Sequence, residues 1–461
     1  MGQSSLQLEA VVLAAGKGTR MKSARPKVLH ELAGKPMLHH VLEQASGLGA
    51  QATHVVIGNQ AEQVRAATPH EVNWVLQTEQ LGTGHAVQQA MPAVADDATV
   101  LVLYGDVPLA SAALLKETVA VAATGVVALV TADFADPAQL GRIIRTDGAI
   151  TEIVEYKDAS ERQKAIHEIN SGILALPAKL LRGYLQEIER AGPQNKQGEY
   201  YLTDVIALAV RDGIAVHGIK APQPQQVMGV NDRVQLAELE RYYQHSLAEA
   251  LMRDGVTLAD PARFDLRGEL TVGQDVQIDI NAVIEGTVTL CDGVRIGPNC
   301  VIRDSVLERG ARVEANSTVD GAQIGADASV GPFARIRPGT VLGERVKVGN
   351  FVETKKTRIG NDSKASHLTY LGDATLGTDC NVGAGTVTCN YDGINKHPTT
   401  IGDRVFVGTN STLVAPLDLG DDAFVAAGST ITKSLENEEL GVGRGRQKNI
   451  KGWTRPDRRD S

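Results

Sequence analysis

A glycine-rich segment near the N-terminus has the composition of a phosphate-binding site. Gly16 and Gly18 directly follow the apolar segment Leu8–Ala14, and Arg20 and Lys27 come shortly after them. A glycine turn between a strand and a helix lets backbone N–H groups approach a phosphate, and the helix N-terminus adds positive potential. The spacing fits neither a Rossmann fingerprint nor a Walker loop. A plain strand-to-helix turn therefore stays open as the alternative.

Two further segments have residues that could complete such a site. Gln77 precedes a second glycine turn, Gly82–Gly84, and Asp106 follows the apolar segment Val100–Tyr104. Because ligands of parallel sheets bind at the carboxyl ends of the strands, we expect Asp106 at that edge, where its carboxylate could hold Mg²⁺. A turn or helix N-cap role is the alternative for Asp106.

The C-terminal half contains one candidate general base. His367 is the only histidine between His245 and His397, and the surrounding stretch 335–400 is rich in Arg, Lys, Asn and Tyr. An imidazole with its ordinary pKa of about 6.5 can accept a proton at neutral pH. A structural histidine and a solvated charged face are the alternatives that the residues alone leave open.

The first half of the chain, from residue 8 to about 230, alternates short apolar segments with amphipathic ones. This alternation predicts βαβ units and a mostly parallel sheet. We expect strands at Leu8–Ala14, Thr53–Ile57, Val100–Tyr104 and Val126–Thr131, and a helix at Lys35–Gly47. Apolar residues then recur at helical spacing in Val234–Arg253, which predicts one long helix joining two domains.

After Leu270 the period of the apolar residues changes to six. They fall at Val272, Ile278, Ile284, Leu290, Ile296 and Ile302, at Ile324, Val330, Ile336, Leu342 and Val348, and at Ile401, Val407, Leu413, Leu419, Val425 and Ile431. This hexapeptide repeat is typical of a left-handed parallel β-helix with three hexapeptides per coil, here about nine coils. Glycine often follows the apolar position, where we expect a tight corner at which a Cβ would strain the backbone. Cys389–Thr400 interrupts the repeat as an inserted loop.

The predicted fold is therefore an α/β N-terminal domain, Rossmann-like with a mostly parallel sheet, joined by a long helix to a left-handed parallel β-helix. The predicted division is 1–232 for the first domain, 233–255 for the joining helix and 256–461 for the β-helix.

The composition excludes several classes of protein. With 43% hydrophobic and 22% charged residues among 461, disorder is excluded as the main state. The net charge of −9 argues against a nucleic-acid partner bound over the whole surface. No apolar run is long enough to insert in a membrane, and no secretory signal is expected. The four cysteines form no C-x-x-C pair, so we expect reduced thiols in a cytoplasmic protein.

Motifs in both halves carry a resemblance to one enzyme family. They are LAAGKGTRM, PKVL, QLGTGHA, YGDVPL, VEYKDA, EINSGI and GEYYLTD in the first half, and KKTRIGNDSKASHLTYLGD and NVGAGTVTCNYDG in the second. The chain resembles the bacterial bifunctional N-acetylglucosamine-1-phosphate uridylyltransferase / glucosamine-1-phosphate N-acetyltransferase family from about residue 8 to 455. In that family a sugar-phosphate nucleotidyltransferase is joined to a hexapeptide-repeat acyltransferase.

The resemblance implies a set of residues for uridylyl transfer. The residues that would contact UTP or the UDP-sugar are Leu13, Ala14, Ala15, Gly16, Arg20, Lys27, Gln77, Gly82, Thr83, Tyr104 and Gly105. Those that would hold the acetylated sugar are Gly141, Glu155 and Asn170. Asp106 and Asn231 would ligate Mg²⁺ beside the nucleotide. UMP would pass from UTP to N-acetylglucosamine 1-phosphate, and pyrophosphate would leave.

The resemblance also implies the residues for acetyl transfer. His367 would deprotonate the amine of glucosamine 1-phosphate, which then attacks acetyl-CoA. The acetyl acceptor would be held by Arg337, Lys355, Tyr370, Asn381 and Lys396. Acetyl-CoA would contact Ala384, Asn390, Tyr391, Thr409, Ala427 and Arg444. Thr409 stands where this family usually has serine, which keeps the hydroxyl and adds a methyl group.

A homotrimer formed through the β-helix is also implied, with its acetylation sites in the clefts between subunits. The product, UDP-N-acetylglucosamine, would feed peptidoglycan and lipopolysaccharide synthesis, and hence the cell wall and cell shape. Two other functions remain as alternatives: a single-activity nucleotidyltransferase with a regulatory β-helix, and a non-catalytic scaffold resembling a translation factor. The first would lack the set His367, Lys355, Tyr370 and Asn390, and the second would have an eroded phosphate loop.

Overall fold

The computed structural model describes residues 7–58, 60–193 and 195–455. The chain forms two compact units, with the boundary in the sequence between Tyr243 and Gln244. The division predicted above, with a separate joining helix at 233–255, stays a prediction about domains.

The first unit is an α/β fold with one principal sheet. Its strands are β1 Leu8–Leu13, β2 Glu31–Leu32, β3 Lys35–Pro36, β4 Ala52–Ile57, β5 Asn73–Leu76, β6 Thr99–Tyr104, β7 Val127–Asp133, β8 Arg142–Thr146, β9 Ala149–Val154, β10 Glu168–Pro177 and β11 Val216–Lys220. Its helices are α1 Met37–Gly47, α2 Ala61–Ala66, α3 Thr83–Ala90, α4 Ala112–Ala122, α5 Glu161–Lys164, α6 Ala178–Ala191 and α7 Asp204–Arg211, and α8 Arg233–Arg253 extends past the unit boundary. The strand order is β11-β7-β10-β6-β1-β4-β5, with β8 and β9 attached beside β10.

The sheet is mostly parallel, as predicted. β1 pairs in parallel with β4 and β6, and β4 with β5, whereas β10 runs antiparallel between β6 and β7. All six residues of β1 are buried, which is what a parallel strand covered on both faces requires. Leu13 lies opposite both Val56 and Tyr104 in the register, so the loops that follow β1 and β6 leave the sheet at the same edge.

Helix α1 begins two residues later than predicted. The sequence pattern places its start at Lys35, but Lys35 and Pro36 pair with Leu32 and Glu31 in a short hairpin. Pro36 then takes the N-cap position of the helix. A proline lacks the N–H that a strand interior or helix interior uses, so it fits this junction.

The second unit is a left-handed parallel β-helix with three strands per coil. One series of strands forms an eleven-stranded sheet: Thr257–Leu258, Gln277–Ile278, Arg295–Ile296, Arg312–Val313, Ser329–Val330, Lys347–Asn350, Lys364–His367, Asn381–Val382, Phe406–Val407, Phe424–Val425 and Leu440–Gly441. The other two series share a seventeen-stranded sheet: Phe264–Val272, Ala282–Leu290, Val301–Arg303, Val306–Leu307, Thr318–Asp320, Gln323–Ile324, Arg335–Ile336, Val341–Leu342, Glu353–Lys355, Arg358–Ile359, Tyr370–Gly372, Ala374–Leu376, Val387–Cys389, Thr399–Ile401, Thr412–Val414, Leu417–Leu419 and Thr430–Ile431.

The six-residue repeat forms the core of the coils, as predicted. Of the seventeen apolar positions named above, all but Val272 are buried, and Val272 packs against the same core. Each strand of the central coils pairs with the strand one coil later, for example Ile302 with Val319 and Ile336 with Thr354. The step between paired residues is 17 from Ile302 to Val319 and 18 from Ile336 to Thr354, and it rises to 25 from Leu376 to Ile401, where the inserted loop intervenes.

Glycine follows the apolar position of the repeat for a different physical reason from the one predicted. Most of them, Gly325 for example, have no left-handed φ. Instead, a Cβ on Gly325 would lie 2.5 Å from the backbone of Gly343 in the next coil. The left-handed residues come two positions later, at Asp327 or Arg345. Glycine is therefore required by the close approach of neighbouring coils, while the strained turn falls on another residue.

The long helix is present as predicted, at Arg233–Arg253. Its first half belongs to the first unit, where Leu239 is fully buried against Met21, Leu32 and Met37. No helix within the described ranges has both the length and the apolar character to cross a membrane.

Candidate functional site

The loops at the carboxyl edge of β1 and β6 enclose a pocket in the first unit. Its lining consists of Leu13, Ala14, Ala15, Gly16, Lys27, Val28, Gln77, Gln80, Gly82, Thr83, Ala86, Tyr104, Asp106 and Glu199. Nine of the eleven predicted nucleotide contacts are among them, together with the predicted metal ligand Asp106. Gly105 lies just behind the pocket, since its N–H donates to the carbonyl oxygen of Leu13 at 2.9 Å. The parallel register therefore brings together segments that are far apart in the sequence.

The phosphate loop has open space in front of its first glycine. A Cβ on Gly16 would meet no protein atom within 4 Å, so a ligand can approach the backbone there. At Gly18, with φ +59, a Cβ would lie 2.6 Å from the Cβ of Lys27. The predicted helix after this loop is absent, because Thr19–Met21 forms only one 3₁₀ turn. The positive potential of the loop must therefore come from Arg20 and Lys27 rather than from a helix dipole.

A lysine joins the two predicted metal ligands. The ammonium of Lys27 contacts the carboxylate of Asp106 and donates to Oδ1 of Asn231 at 2.9 Å. Arg20 donates to the same Asn231 oxygen at 2.9 Å. The oxygens of Asp106 and Asn231 thus already stabilise one cation between them. Carboxylate and amide oxygens are also ligands that Mg²⁺ accepts, so this pair fits the predicted metal site.

The second glycine turn is held in place by the segment around Tyr200. The N–H of Tyr200 donates to Leu81, and its carbonyl oxygen accepts from Gly84, both at 2.8 Å. A Cβ on Gly82, whose φ is +113, would lie 2.5 Å from that carbonyl oxygen. Thr83 accepts from the N–H of Leu202 at 3.1 Å. The GEYYLTD segment therefore fixes the turn that lines the pocket.

The predicted sugar contacts lie together beside Tyr104. The N–H of Asn170 donates to the carbonyl oxygen of Gly141 at 2.9 Å. A Cβ on Gly141 would lie 3.4 Å from both carboxylate oxygens of Glu155, which is ordinary contact, so Gly141 lies directly against that group. Burial raises the pKa of Glu155, although a contact with Thr203 opposes the shift. The pKa of Tyr104 is raised, mainly by burial and further by the charges of Glu155 and Asp106. Its hydroxyl therefore keeps its proton and can donate a hydrogen bond.

Four residues of the pocket were not among the predicted contacts: Val28, Gln80, Ala86 and Glu199. Val28, Gln80 and Ala86 belong to the motifs PKVL and QLGTGHA, so proximity to predicted contacts could have identified them. Glu199 belongs to GEYYLTD, which lies more than a hundred residues away from the glycine turn in the sequence. Only the fold brings that segment to the pocket.

In the second unit, the ring of His367 is hydrogen-bonded to Asn350. Nδ1 lies 2.6 Å from Oδ1 of Asn350, which is directly opposite His367 on the preceding coil. An amide oxygen only accepts, so Nδ1 carries the proton and Nε2 has a free lone pair. His367 is exposed. The arrangement is that of a neutral imidazole able to accept a proton at Nε2.

Three predicted acetyl-CoA contacts lie at the same corner of the β-helix as His367, in the coils that follow it. Ala384, Thr409 and Ala427 follow it in consecutive coils. The carbonyl oxygens of Ala384 and Thr409 accept from the N–H groups of residues 410 and 428 at 2.7 and 2.8 Å. Arg444 donates to the carbonyl oxygen of Ala427 at 2.6 Å. The structure thus brings these four residues into one line, and Thr409 is exposed on it.

Basic and polar side chains gather on the neighbouring face. Lys396 lies beside Lys355 and lowers the pKa of Lys355, more than the partial burial of that lysine does. Tyr370 and Asn390 approach each other over Gly372, where a Cβ would contact the Tyr370 hydroxyl and lie 2.8 Å from Nδ2 of Asn390. Two adjacent ammonium groups favour an anion such as a phosphate.

Further contacts organise this cluster. Arg337 donates to Glu353 at 2.8 Å, and Asn390 donates to Asp373 at 2.5 Å. In the inserted loop, Tyr391 pairs with Lys396, and Asp392 accepts from the N–H groups of residues 394 and 395 at 2.8 and 2.6 Å. These bonds, with the His397 contact, lower the pKa of Asp392 to about 2.

Within a single copy of the protein, Asn381 lies on a different sheet from the other predicted acceptor contacts. It lies on the eleven-stranded sheet between Lys364 and Phe406 in the register, whereas Arg337, Lys355 and Tyr370 accompany the seventeen-stranded sheet.

Comparison with known proteins identifies the family. The model of the MobA-like NTP transferase domain matches residues 10–198, the GMPPB C-terminal domain matches 266–366, and the hexapeptide repeat of succinyl-transferase matches 398–433. The bifunctional protein GlmU of Marinobacter nauticus is 56% identical over 97% of this chain and 99% of its own. GlmU of Pseudomonas entomophila is 54% identical over 98% of this chain and 99% of its own.

The chain belongs to the GlmU family. As a member of this family it is bifunctional, with nucleotidyltransferase and acetyltransferase activities carried by the two kinds of domain that the matches identify. A solved UDP-glucose pyrophosphorylase complexed with UDP-glucose aligns with a TM-score of 0.43 at 17% identity, over 52% of this chain and 98% of that chain.

Proposed function

We propose that this protein makes UDP-N-acetylglucosamine in two steps, with acetyl-CoA, glucosamine 1-phosphate and UTP as substrates. The C-terminal unit acetylates glucosamine 1-phosphate, and the N-terminal unit transfers UMP to the product. The observation that carries the proposal is the coexistence of two built sites. One is a pocket at the sheet edge lined by Lys27 and Asp106, and the other is an exposed imidazole held in the basic tautomer, with two adjacent lysines on the neighbouring face.

For uridylyl transfer, we assign the uridine end to Gln77, Gly82 and Thr83, and the phosphates to Gly16, Arg20 and Lys27. The sugar end is assigned to Gly141, Glu155 and Asn170 beside Tyr104. An oxygen of the sugar phosphate attacks the α-phosphorus of UTP, the bond to the bridging oxygen breaks, and pyrophosphate leaves. Since two anions must approach each other, the chain contributes orientation and positive charge rather than a covalent nucleophile.

Asp106 and Asn231 would hold Mg²⁺. The oxygens of both residues already face the ammonium of Lys27, which supports a cation at this position. When bound, the metal would neutralise charge on the phosphates of UTP. Arg20 and Lys27 add their own charge at the same place.

For acetyl transfer, we assign the role of general base to Nε2 of His367. The amine nitrogen of glucosamine 1-phosphate attacks the thioester carbonyl, its proton passes to Nε2, and the C–S bond breaks to release coenzyme A. Lys355, Lys396 and Arg337 would bind the phosphate, with Tyr370 and Asn381 on the sugar. Asn390 and Tyr391 would lie near the reacting groups, and Ala384, Thr409, Ala427 and Arg444 along acetyl-CoA.

We also propose a homotrimer formed through the β-helix. Phe333, Phe351 and Leu368 form an apolar edge on three consecutive coils, exposed by 49%, 56% and 61%. The rings of Phe333 and Phe351 stack at 5.4 Å. Phe351 and Leu368 directly follow Asn350 and His367 in the sequence, so a neighbouring chain on this edge would adjoin the base. A second chain would also supply the Asn381 that this chain carries on a different sheet.

A cytoplasmic location and a role in cell-wall and lipopolysaccharide synthesis complete the proposal. The four cysteines are free thiols, two of them buried, which supports a reducing compartment. Burial raises the pKa of Cys300 to about 11, so that thiol is unreactive.

Two single variants separate the two activities. Asp106→Ala should remove a metal ligand and lower uridylyl transfer by about 10²-fold or more, with acetyl transfer unchanged. His367→Ala should lower acetyl transfer by about 10²–10⁴-fold, with uridylyl transfer unchanged. Mass spectrometry of the products from glucosamine 1-phosphate, acetyl-CoA, UTP and Mg²⁺ follows both steps. If either variant loses both activities or neither, the assignment of one reaction to each unit is wrong.

A further inference from the structure

The amide of Gln77 has a fixed orientation in the nucleotide pocket. The residue is only 3% exposed and lines the pocket. Nε2 donates to the carbonyl oxygen of Gly82 at 3.2 Å and lies 3.0 Å from Nδ1 of His85. A primary amide has two N–H donors, so these two contacts use both of them. Within the described part of the chain, no donor is recorded for the amide oxygen, which is therefore left for a ligand.

His85 is the second of the two acceptors that hold this amide, beside the carbonyl oxygen of Gly82. Amide nitrogens lie near both of its ring nitrogens, Gln77 at Nδ1 and Gln89 at 3.1 Å from Nε2. A neutral imidazole has one N–H and cannot accept from both. The carbonyl oxygen of Gly82 only accepts, which fixes the Gln77 amide. Gln89 is exposed, so its amide can turn its oxygen to the ring. Nδ1 is therefore the acceptor, and Nε2 carries the proton.

The backbone keeps His85 in this position. His85 lies in the first turn of α3, Thr83–Ala90, and Gly84 beside it donates to Tyr200 at 2.8 Å. The imidazole also lies 6.4 Å from the Tyr200 ring, centroid to centroid.

We propose that His85 is a positioning residue that, together with the Gly82 carbonyl, sets the base selectivity of the nucleotide site. The proposal rests on the proposed function, in which this pocket takes a uridine nucleotide. Uracil has an N–H at ring position 3, whereas cytosine has a lone pair there. An amide oxygen held toward the base accepts from uracil and repels cytosine. If the amide turned over, its N–H groups would favour cytosine instead. The preference therefore depends on the two acceptors that prevent this turn, the Gly82 carbonyl oxygen and Nδ1 of His85.

The experiment measures kcat/KM for UTP and for CTP, each with N-acetylglucosamine 1-phosphate, in one preparation of full-length protein. The ratio of the two values is independent of any inactive fraction. His85→Leu removes the acceptor, whereas His85→Asn has nearly the same size as leucine and keeps an acceptor oxygen close to the place of Nδ1. We expect His85→Leu to lower the UTP/CTP ratio about tenfold and His85→Asn to keep it within about twofold of the wild type.

Gln88→Ala provides the control, since Gln88 lies on the same helix and contacts Glu189 instead of Gln77. An unchanged ratio in His85→Leu overturns the proposal, as does an equal loss in His85→Asn or in the control. A wild-type protein that transfers no UMP, or that prefers CTP, contradicts the proposed function itself. A wild type that prefers UTP beside an unaffected leucine variant contradicts only the role of His85.

Discussion

Nδ1 of His367 lies 2.6 Å from Oδ1 of Asn350, and the two residues face each other on neighbouring coils. The pairing follows from the parallel register of the β-helix, which places residues 17 positions apart side by side. Because the amide oxygen only accepts, it holds the proton on Nδ1 and leaves Nε2 as the base. Asn350 therefore acts through His367 rather than on the substrate.

Asn350→Ala should lower kcat for acetyl transfer about tenfold, because the imidazole loses its fixed tautomer and orientation. Asn350→Asp keeps an acceptor at the same place and should retain most of kcat. The charge of the new carboxylate should also favour the protonated imidazole, so the acid limb of the pH profile should move to higher pH. The measurement is the pH dependence of kcat for both variants. Equal losses in the two variants, with no movement of the acid limb, would contradict this role.

The two neighbouring lysines make acceptor binding sensitive to alkaline pH. The ammonium of Lys396 lowers the pKa of Lys355, so Lys355 loses its charge at a lower pH than an ordinary lysine. KM for glucosamine 1-phosphate should therefore rise as the pH rises through this lowered pKa. Lys396→Ala should raise KM at neutral pH and move the alkaline rise to higher pH.

The control for the lysine pair is Lys433→Ala, an exposed lysine elsewhere in the β-helix. Its pH profile of KM should match that of the wild type. A Lys396→Ala profile whose alkaline rise stays in place would show that the two ammonium groups do not interact.

Phe351→Glu should break the apolar edge and the proposed trimer. A carboxylate on this edge would have to be buried against a neighbouring chain, at a cost of several kcal/mol. The mass in solution, measured by light scattering, should fall from three chains to one. Acetyl transfer should be lost with it, and uridylyl transfer should persist. Val306→Glu changes an exposed apolar residue on another strand series and should leave the mass unchanged. A trimeric Phe351→Glu protein would place the interface elsewhere.

The activity of an N-terminal fragment should depend on whether the fragment includes the first half of α8. A chain ending at residue 243 keeps Leu239, which is fully buried, and Glu240, which accepts from the N–H of Ala33 at 2.7 Å. It should retain uridylyl transfer. A chain ending at residue 230 lacks both, and lacks Asn231, so it should be inactive. Uridylyl transfer from N-acetylglucosamine 1-phosphate, with the thermal midpoint of each fragment, checks this. Activity in the shorter fragment would exclude Asn231 from the metal site.

The fold was predictable from periodicity because its cores repeat. Ile278, Ile296 and Val330 are buried at the positions that the six-residue period requires. In the first unit, the alternation of strands and helices predicts the parallel sheet, and this sheet brings Asp106 beside the glycine loop. Where the position of a side chain depends only on the direction of the backbone, the sequence pattern was sufficient to predict that position.

Other features depend on contacts that a periodic pattern does not contain. The 3₁₀ turn at Thr19–Met21 replaces the helix expected after the phosphate loop, because Gly18 and Lys22 at its two ends are both left-handed. The partner of His367 was missed, since Asn350 can be found only from the 17-residue step between these coils. Glu199 reaches the pocket through a long-range loop that no local pattern predicts.

The line of residues that begins at His367 has a defined length. Ala384, Thr409 and Ala427 follow it one coil at a time, and adjacent strands are separated by ~4.8 Å. A single molecule that touches both ends must therefore extend about 14 Å along the axis of the coils. The corner therefore selects its acyl donor by length. A long thioester with a distant anionic end can reach Arg444. A compact acyl donor of a few atoms would leave most of this line of residues in contact with water.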